Sequence, residues 1–147
     1  MKIDIKQITE GEDSVVVRYK ELTSPINRII NILKNEGGRI WGRTETKTLS
    51  VSTDDILYLE SVDDKVFAYT TENVLRIDGS LNSFMLEADN EVFFRCSKSM
   101  VINVNRVVSL KSLSSNRIDA AMEGGEHIII SRRYASEFRK LLRGEKL

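Results

Sequence analysis

The sequence predicts a mainly β domain from about Gly38 onward, preceded by a small α+β segment. Short apolar runs rich in β-branched and aromatic residues follow one another closely after Gly38, and such residues suit a pleated surface. Brief polar segments of turn composition separate these runs. Many strands at such close spacing favour a β-rich domain, which we place at residues 39–147.

The segment before it, residues 1–38, is predicted to form two strands and a helix. Residues 2–7 alternate as a short strand, residues 11–13 have turn composition, and residues 14–19 form a second strand. Ser24-Pro25 is typical of a helix start, and an aliphatic stripe at helical spacing follows until Gly37-Gly38. This stripe indicates packing against the two strands or against a partner subunit.

The β domain contains two series of strands on either side of a short amphipathic helix that starts near Leu81. The first series is expected at residues 39–43, 47–52, 56–61, 66–70 and 74–77. The second is expected at residues 92–95, 100–104, 107–113, 117–122 and 127–130. A terminal helix follows, with Tyr134, Phe138, Leu141 and Leu142 on one side.

Composition narrows the class of protein. Charged residues make up 30% of the 147 residues and hydrophobic ones 41%. No run approaches the roughly 20 apolar residues of a membrane span, and the N-terminus has no apolar signal-peptide core. We therefore expect no membrane insertion. The chain's one cysteine, Cys96, excludes an intrachain disulfide and a cysteine-rich metal cluster, and it favours the reducing cytoplasm as the compartment. No cofactor or metal is expected.

The neutral net charge hides an asymmetry between the two parts of the chain. From Arg95 onward there are 11 basic residues and five acidic ones, a net charge of +6, so residues 1–94 carry −6. A basic half points toward a polyanion, most often nucleic acid. A solvated basic face remains an alternative.

Two polar turns carry the candidate binding residues. Ser97-Lys98-Ser99 lies between two apolar strands, where small hydroxyls beside a long cation could donate to phosphate oxygens and to base edges. Taken alone, this stretch is more simply an ordinary solvated hairpin turn.

The second turn, Ser131-Arg132-Arg133, precedes the terminal helix. Ser131 could cap that helix, with both arginines in its first turn. Cations are disfavoured near a helix N-terminus, so an anion bound there would relieve the repulsion. Alternatively, one arginine pairs with Glu137.

Enzymatic interpretations find little support. Ser99, His127 and Asp119 could form a hydrolase triad on paper, and Cys96 with His127 a thiol dyad. Neither has a nucleophile elbow or another supporting motif. We therefore expect no catalytic activity.

The chain resembles LytTR-type DNA-binding domains in four successive motifs over roughly residues 39–142. They are Asp55-Ile56-Leu57-Tyr58-Leu59-Glu60-Ser61, the helix from Leu81 to Glu87, Val92-Phe93-Phe94-Arg95-Cys96-Ser97-Lys98-Ser99-Met100-Val101-Ile102-Asn103, and Ile130-Ser131-Arg132-Arg133-Tyr134. The resemblance implies a bacterial transcription regulator with an elongated, mainly β fold of stacked small antiparallel sheets. Such domains insert loop side chains into successive grooves of bent duplex DNA.

The resemblance also implies which residues contact DNA. Lys98, with Ser97 and Ser99, matches the loop after the family's Phe-Arg strand. Arg133, with Arg132 and Ser131, matches the Ser-Arg-Arg-Tyr loop, and Lys65 matches a third contact loop. Residue 97 is often histidine in the family and is serine here. This difference affects which base the loop prefers, but not whether the loop contacts DNA.

The expected partner is double-stranded promoter DNA with repeated half-sites, bound by a homodimer. Many family members carry a phosphorylated receiver domain of about a hundred residues or more, which residues 1–38 cannot hold. The resemblance thus implies a stand-alone version whose N-terminal extension dimerises or docks a regulator. A second hypothesis is a non-catalytic protein-interaction module that uses β edges and the isoleucine-rich helix.

Overall fold

In this computed structural model the chain divides into two units, Met1–Glu36 and Gly37–Leu147, and the residues described are 1–33 and 38–143. The first unit contains helix α1 (Ser24–Leu33), which starts where the Ser24-Pro25 pair predicts. None of its residues is buried. The predicted helix end at Gly37 lies outside the described residues.

The two strands predicted at residues 2–7 and 14–19 are wrong, because neither segment has regular secondary structure. Their apolar side chains stay in solvent, with Ile5 90% and Val16 74% exposed. The alternation of apolar and polar residues in these segments is compatible with a strand, but it does not supply a partner strand or a core to pack on. A lone two-stranded hairpin without an apolar cover is marginal in water, which accounts for the difference.

The second unit follows the predicted order of elements closely. Its strands are β1 (Arg39–Arg43), β2 (Thr48–Ser52), β3 (Tyr58–Val62), β4 (Lys65–Tyr69), β5 (Val74–Ile77), β6 (Phe93–Ser97), β7 (Met100–Asn103), β8 (Val107–Leu113), β9 (Arg117–Met122) and β10 (His127–Ile130). Its α-helices are α2 (Leu81–Glu87) and α3 (Arg132–Leu142). The mainly β prediction is confirmed.

Within the described residues the strands form two antiparallel sheets. Seven strands pair in the order β2-β1-β5-β4-β3-β7-β6, and three pair in the order β10-β9-β8. β3 is an interior strand, because it pairs with β4 on one side and with β7 on the other. The turns that follow β3 and precede β7 therefore lie at the same end of the larger sheet.

The larger sheet separates two apolar clusters. On one face, α2 packs against it, and the Phe84 and Phe93 rings meet edge to face at 5.0 Å. On the other face, the smaller sheet and α3 cover it, and the Phe94 and Phe138 ring centroids are 5.1 Å apart. This second cluster holds the start of α3 beside β6.

Asn103 closes β7 and is almost completely buried. Its Nδ2 donates to the carbonyl oxygen of Ile56 at 2.9 Å, and its Oδ1 accepts from the backbone N–H of Asn105 at 3.0 Å. The buried amide is thus satisfied by main-chain groups, as the position of a polar residue at the end of an apolar strand suggests. Asn103 belongs to the frame of the domain.

Candidate nucleic-acid interface

The turn between β6 and β7 carries three of the predicted contact residues. Ser97 ends β6 and is half-buried, whereas Lys98 and Ser99 form the turn and are exposed. The Ser97 Oγ accepts a hydrogen bond from the Ser99 backbone N–H at 3.3 Å. Within residues 1–33 and 38–143, neither the Lys98 ammonium nor the Ser99 hydroxyl has a partner. Both groups are therefore free to meet a ligand.

Arg95 braces this turn from β6. Its Nε donates to the Ser97 carbonyl oxygen at 2.9 Å, and its Nη2 donates to the Lys98 carbonyl oxygen. Its Nη1 donates to Asn82 Oδ1 in α2 at 2.7 Å. The register of β6 shifts between Arg95 and Ser97, and such a bulge turns a side chain out of its regular position. No motif or spacing in the sequence predicts this role of Arg95.

The turn between β3 and β4 lies next to the first turn. Asp63 and Asp64 both have positive φ, 51° and 62°, the geometry of a two-residue hairpin turn, and Lys65 follows as the exposed start of β4. The Ser61 backbone N–H donates to the Ser99 carbonyl oxygen at 2.8 Å. This bond joins the end of β3 directly to the β6–β7 turn.

The turn before α3 is bonded to β6 at the same end of the larger sheet. The Ser131 backbone N–H donates to the Cys96 carbonyl oxygen at 2.9 Å, one residue before Ser97. Ser131 is the N-cap residue of α3, but its side chain makes no capping hydrogen bond, contrary to the expectation. Its carbonyl oxygen accepts from the Tyr134 N–H at 3.0 Å instead, so the main chain starts the helix.

Arg132 and Arg133 extend from this helix start and are both exposed. The Arg133 guanidinium lies 5.5 Å from the centroid of the Tyr134 ring. In the described part of the chain neither arginine pairs with Glu137, and the first turn of α3 has no acidic residue. Two cations without a carboxylate partner at a helix N-terminus favour a bound anion.

The three turns differ in local charge. Residues 131–133 carry +2 and residues 97–99 carry +1, but residues 63–65 carry −1 because Asp63 and Asp64 precede Lys65. Of the predicted contact residues, Lys65 is therefore the least favourably placed for a polyanion.

Of the hypothetical catalytic sets, the structure brings together His127 and Asp119 but not their proposed nucleophiles. The His127 Nδ1 lies 3.0 Å from Asp119 Oδ1, but within the described residues His127 bonds to neither Ser99 nor Cys96. Cys96 is fully buried with its Sγ 3.4 Å from the Met100 carbonyl oxygen, and burial raises the pKa of its thiol to about 12.

Residues 1–33 and 38–143 contain no group of three or more histidine, cysteine or acidic residues fit for a metal. Nor does this part contain a helix long and apolar enough to span a bilayer.

Comparisons with known proteins identify the family of the second unit. The family model of the LytTr DNA-binding domain matches residues 46–143. A solved LytTr DNA-binding domain from Bacillus cereus superposes with a TM-score of 0.68 at 29% identity, covering 71% of this chain and 95% of that one.

Two sensory transduction proteins named LytT are also similar. The one from Bacillus anthracis is 25% identical over 142 residues, which cover 97% of this chain and 50% of that protein. The one from Bacillus subtilis is 27% identical over 92 residues, 63% of this chain and 38% of that protein. The chain thus spans half or less of these relatives' length. Since the family model matches more than half of the chain and the solved domain shares its antiparallel β fold, the chain belongs to the LytTr DNA-binding domain family.

Proposed function

We propose that this chain regulates transcription in the bacterial cytoplasm by binding promoter DNA sequence-specifically, with its three turns entering the grooves of the duplex. The observation that carries the proposal is the joining of residues 97–99, 131–133 and 63–65 at one end of the larger sheet. Two main-chain hydrogen bonds, Ser61 N–H to Ser99 and Ser131 N–H to Cys96, link them. Their exposed cations and hydroxyls suit phosphate oxygens and base edges. The relatives' name, sensory transduction protein, fits a regulatory role.

The side chains divide into those that read bases and those that hold the backbone. Arginine forms bidentate bonds to guanine, so we assign base reading to Arg133 and a phosphate contact to Arg132. Lys98 serves phosphate or a base edge, depending on how deeply its turn enters the groove. Ser97, Ser99 and Ser131 add hydroxyl donors, and Lys65 adds a weaker phosphate contact.

We further propose that the chain binds repeated half-sites as a homodimer. Two-fold related copies would place two sets of turns on one face of the duplex, about one helical turn or a multiple of it apart. Footprinting on promoter DNA tests this spacing, and sedimentation with and without DNA tests the dimer. A single protected half-site and a monomeric complex would contradict both.

The test of the main proposal is a binding isotherm against DNA from the protein's own promoter region at several salt concentrations. Arg133→Ala should weaken cognate binding by about 1–3 kcal/mol relative to random DNA. Arg132→Ala should weaken both DNAs by a similar factor and lower the salt slope by roughly one phosphate contact. Lys111→Ala removes an exposed cation of β8 outside the three turns and serves as control.

The outcomes separate the proposal from its alternatives. Equal losses on cognate and random DNA for Arg133→Ala would remove its role in base reading. A large fall in melting temperature would instead mean that Arg133 braces α3. Binding that does not change with salt, or no binding at all, would overturn the proposal as a whole.

The alternative function is a protein-interaction module. It is favoured by the exposed apolar side chains of the first unit, among them Ile3 at 78% and Ile5 at 90% exposure. An apolar protein interface depends weakly on ionic strength, whereas contacts to several phosphates weaken steeply with added salt. Salt titration of the complex therefore distinguishes the two functions.

A further inference from the structure

One region of the larger sheet is exposed and rich in arginine. In β1, Arg39, Trp41 and Arg43 alternate with Ile40 and Gly42, so the side chains of Arg39, Trp41 and Arg43 share one face. Gly42 faces the core, since a Cβ there would lie 2.7 Å from the Leu75 Cβ. The opposite face of β1 is therefore open to solvent, and Trp41 on it is 68% exposed.

The strand beside β1 adds a third arginine to this face. Arg43 is directly opposite Arg76 of β5, and Arg76 is directly opposite Phe67 of β4. Side chains at paired positions of an antiparallel ladder lie on the same side of the sheet. Arg39, Trp41, Arg43 and Arg76 therefore form one surface, which we call the arginine face.

This face carries more positive charge than its neighbours neutralise. Arg43 pairs with Asp78 at 2.9 Å, and Arg39 donates to Ser50 Oγ and to its carbonyl oxygen, both at 3.0 Å. In the described part of the chain Arg76 has no hydrogen-bond or ion-pair partner. Like charges directly opposite in a ladder repel. Asp78 neutralises Arg43, the one member of this pair that it contacts, so a further anion beside Arg76 would stabilise the face.

The arginine face continues from the proposed DNA contacts. β5 ends with Ile77 opposite Val66, the residue after Lys65. β1 runs antiparallel to β5, so its residues before Arg43 extend toward the end of the sheet where Lys65 lies. Trp41 and Arg39 thus lie toward the end of the sheet that carries the β3–β4 turn, on the strand beyond β5.

We propose that the arginine face is a second, sequence-independent contact surface for the sugar-phosphate backbone of duplex DNA flanking the site read by the three turns. This inference rests on the proposed function and extends it to the flanking DNA. Arginine suits phosphate, and the exposed indole offers an N–H donor and an apolar surface to the sugar. A second copy of the chain fits less well, because a two-fold contact would bring the same three arginines against one another.

The experiment compares two duplexes, one that covers only the footprint of the three turns and one extended by about one helical turn on each side. Arg76→Gln should weaken binding to the extended duplex by about twofold to fivefold and lower its salt slope by roughly one contact. The short duplex should bind this variant as it binds the unmodified protein. Lys111→Gln, which removes one exposed charge from β8, is the matched control and should affect both duplexes equally.

Trp41 supplies an independent measurement, because it is the only tryptophan in the chain. Acrylamide quenching of its fluorescence should decrease on the extended duplex and stay unchanged on the short one. The inference is overturned if quenching of Trp41 is unchanged on both duplexes and Arg76→Gln binds the extended duplex as the unmodified protein does. It is also overturned by protection of Trp41 that grows with protein concentration in the absence of DNA, which would mark a contact between copies.

The result for Arg133→Ala keeps the two proposals apart. If Arg133→Ala still discriminates cognate DNA while Arg76→Gln weakens binding to the extended duplex, the arginine face stands and base reading by Arg133 fails. If Arg133→Ala loses discrimination and Arg76→Gln changes nothing, the proposed function stands and the arginine face fails.

Discussion

Arg95 should control DNA affinity through the shape of the β6–β7 turn. Its guanidinium donates to the carbonyl oxygens of Ser97 and Lys98 and to Asn82 Oδ1 at the same time. Lysine at this position keeps the charge but is a single point donor and cannot make the three bonds together. Arg95→Lys therefore removes the brace while leaving the electrostatic attraction to DNA in place.

The expected magnitude follows from the two bonds to the turn. At about 1 kcal/mol each for a half-buried position, their loss makes the binding-competent turn about 2 kcal/mol less favourable. The apparent dissociation constant is inversely proportional to the competent fraction of turns, so it rises by about 10- to 30-fold. The global fold should change little, because the core around Phe94 is untouched.

Fluorescence anisotropy with a cognate duplex at fixed salt measures this effect, and thermal unfolding checks the fold. Arg95→Met, which loses both charge and brace, is the companion variant and should bind about as weakly as Arg95→Lys. If the lysine variant binds like the unmodified protein while the methionine variant is weak, Arg95 acts by its charge and the bracing role is refuted.

Three further outcomes concern the core beneath the turns. Phe138→Ala removes a fully buried ring packed on Phe94 and should destabilise the domain by about 3–5 kcal/mol, seen as a lower melting temperature; an unchanged midpoint would mean that α3 contributes little to the core. The Cys96 thiol, buried with its pKa raised to about 12, should react with a thiol reagent slowly in native buffer and quickly in denaturant; rapid native labelling would show that β6 opens. Burial also raises the pKa of Tyr58 to about 12, so both groups hold their protons more tightly when folded. Their contribution to stability is complete below pH 9 and is lost as the pH rises toward 12, which denaturant titrations at pH 8 and pH 11 would detect as a lower midpoint at the higher pH.

The strands of the second unit could be predicted because their signals are local. β1 and β5 coincide with the predicted residues 39–43 and 74–77, where alternation and turn residues agree with the final pairing. The same alternation at residues 2–7 gave a wrong prediction. Whether an extended segment becomes a strand depends on a neighbouring edge and an apolar cover, which the segment itself does not encode.

The candidate contact residues were predicted by family resemblance, whereas the bonds from Arg95 to their turn were missed for a physical reason. Arg95 reaches the turn only because the register of β6 shifts before Ser97, and a bulge has no clear signature in one sequence. The pairing of Arg43 with Arg76 was equally hidden, because it depends on β1 joining β5 across a long stretch of chain. Which side chains meet across neighbouring strands depends on the order and register of the strands in the sheet. The periodicity of one sequence does not reveal that order.

Main-chain hydrogen bonds hold the three turns together, so the position of each turn does not depend on which side chains lie at its tip. Ser61 bonds to the carbonyl of Ser99, and the amide of Ser131 bonds to the carbonyl of Cys96, whatever side chains residues 98, 99, 132 and 133 carry. Those positions can therefore vary between related proteins without rebuilding the frame. Under the proposed function, a few substitutions at the exposed tips would be enough to change the operator preference while the core stays the same.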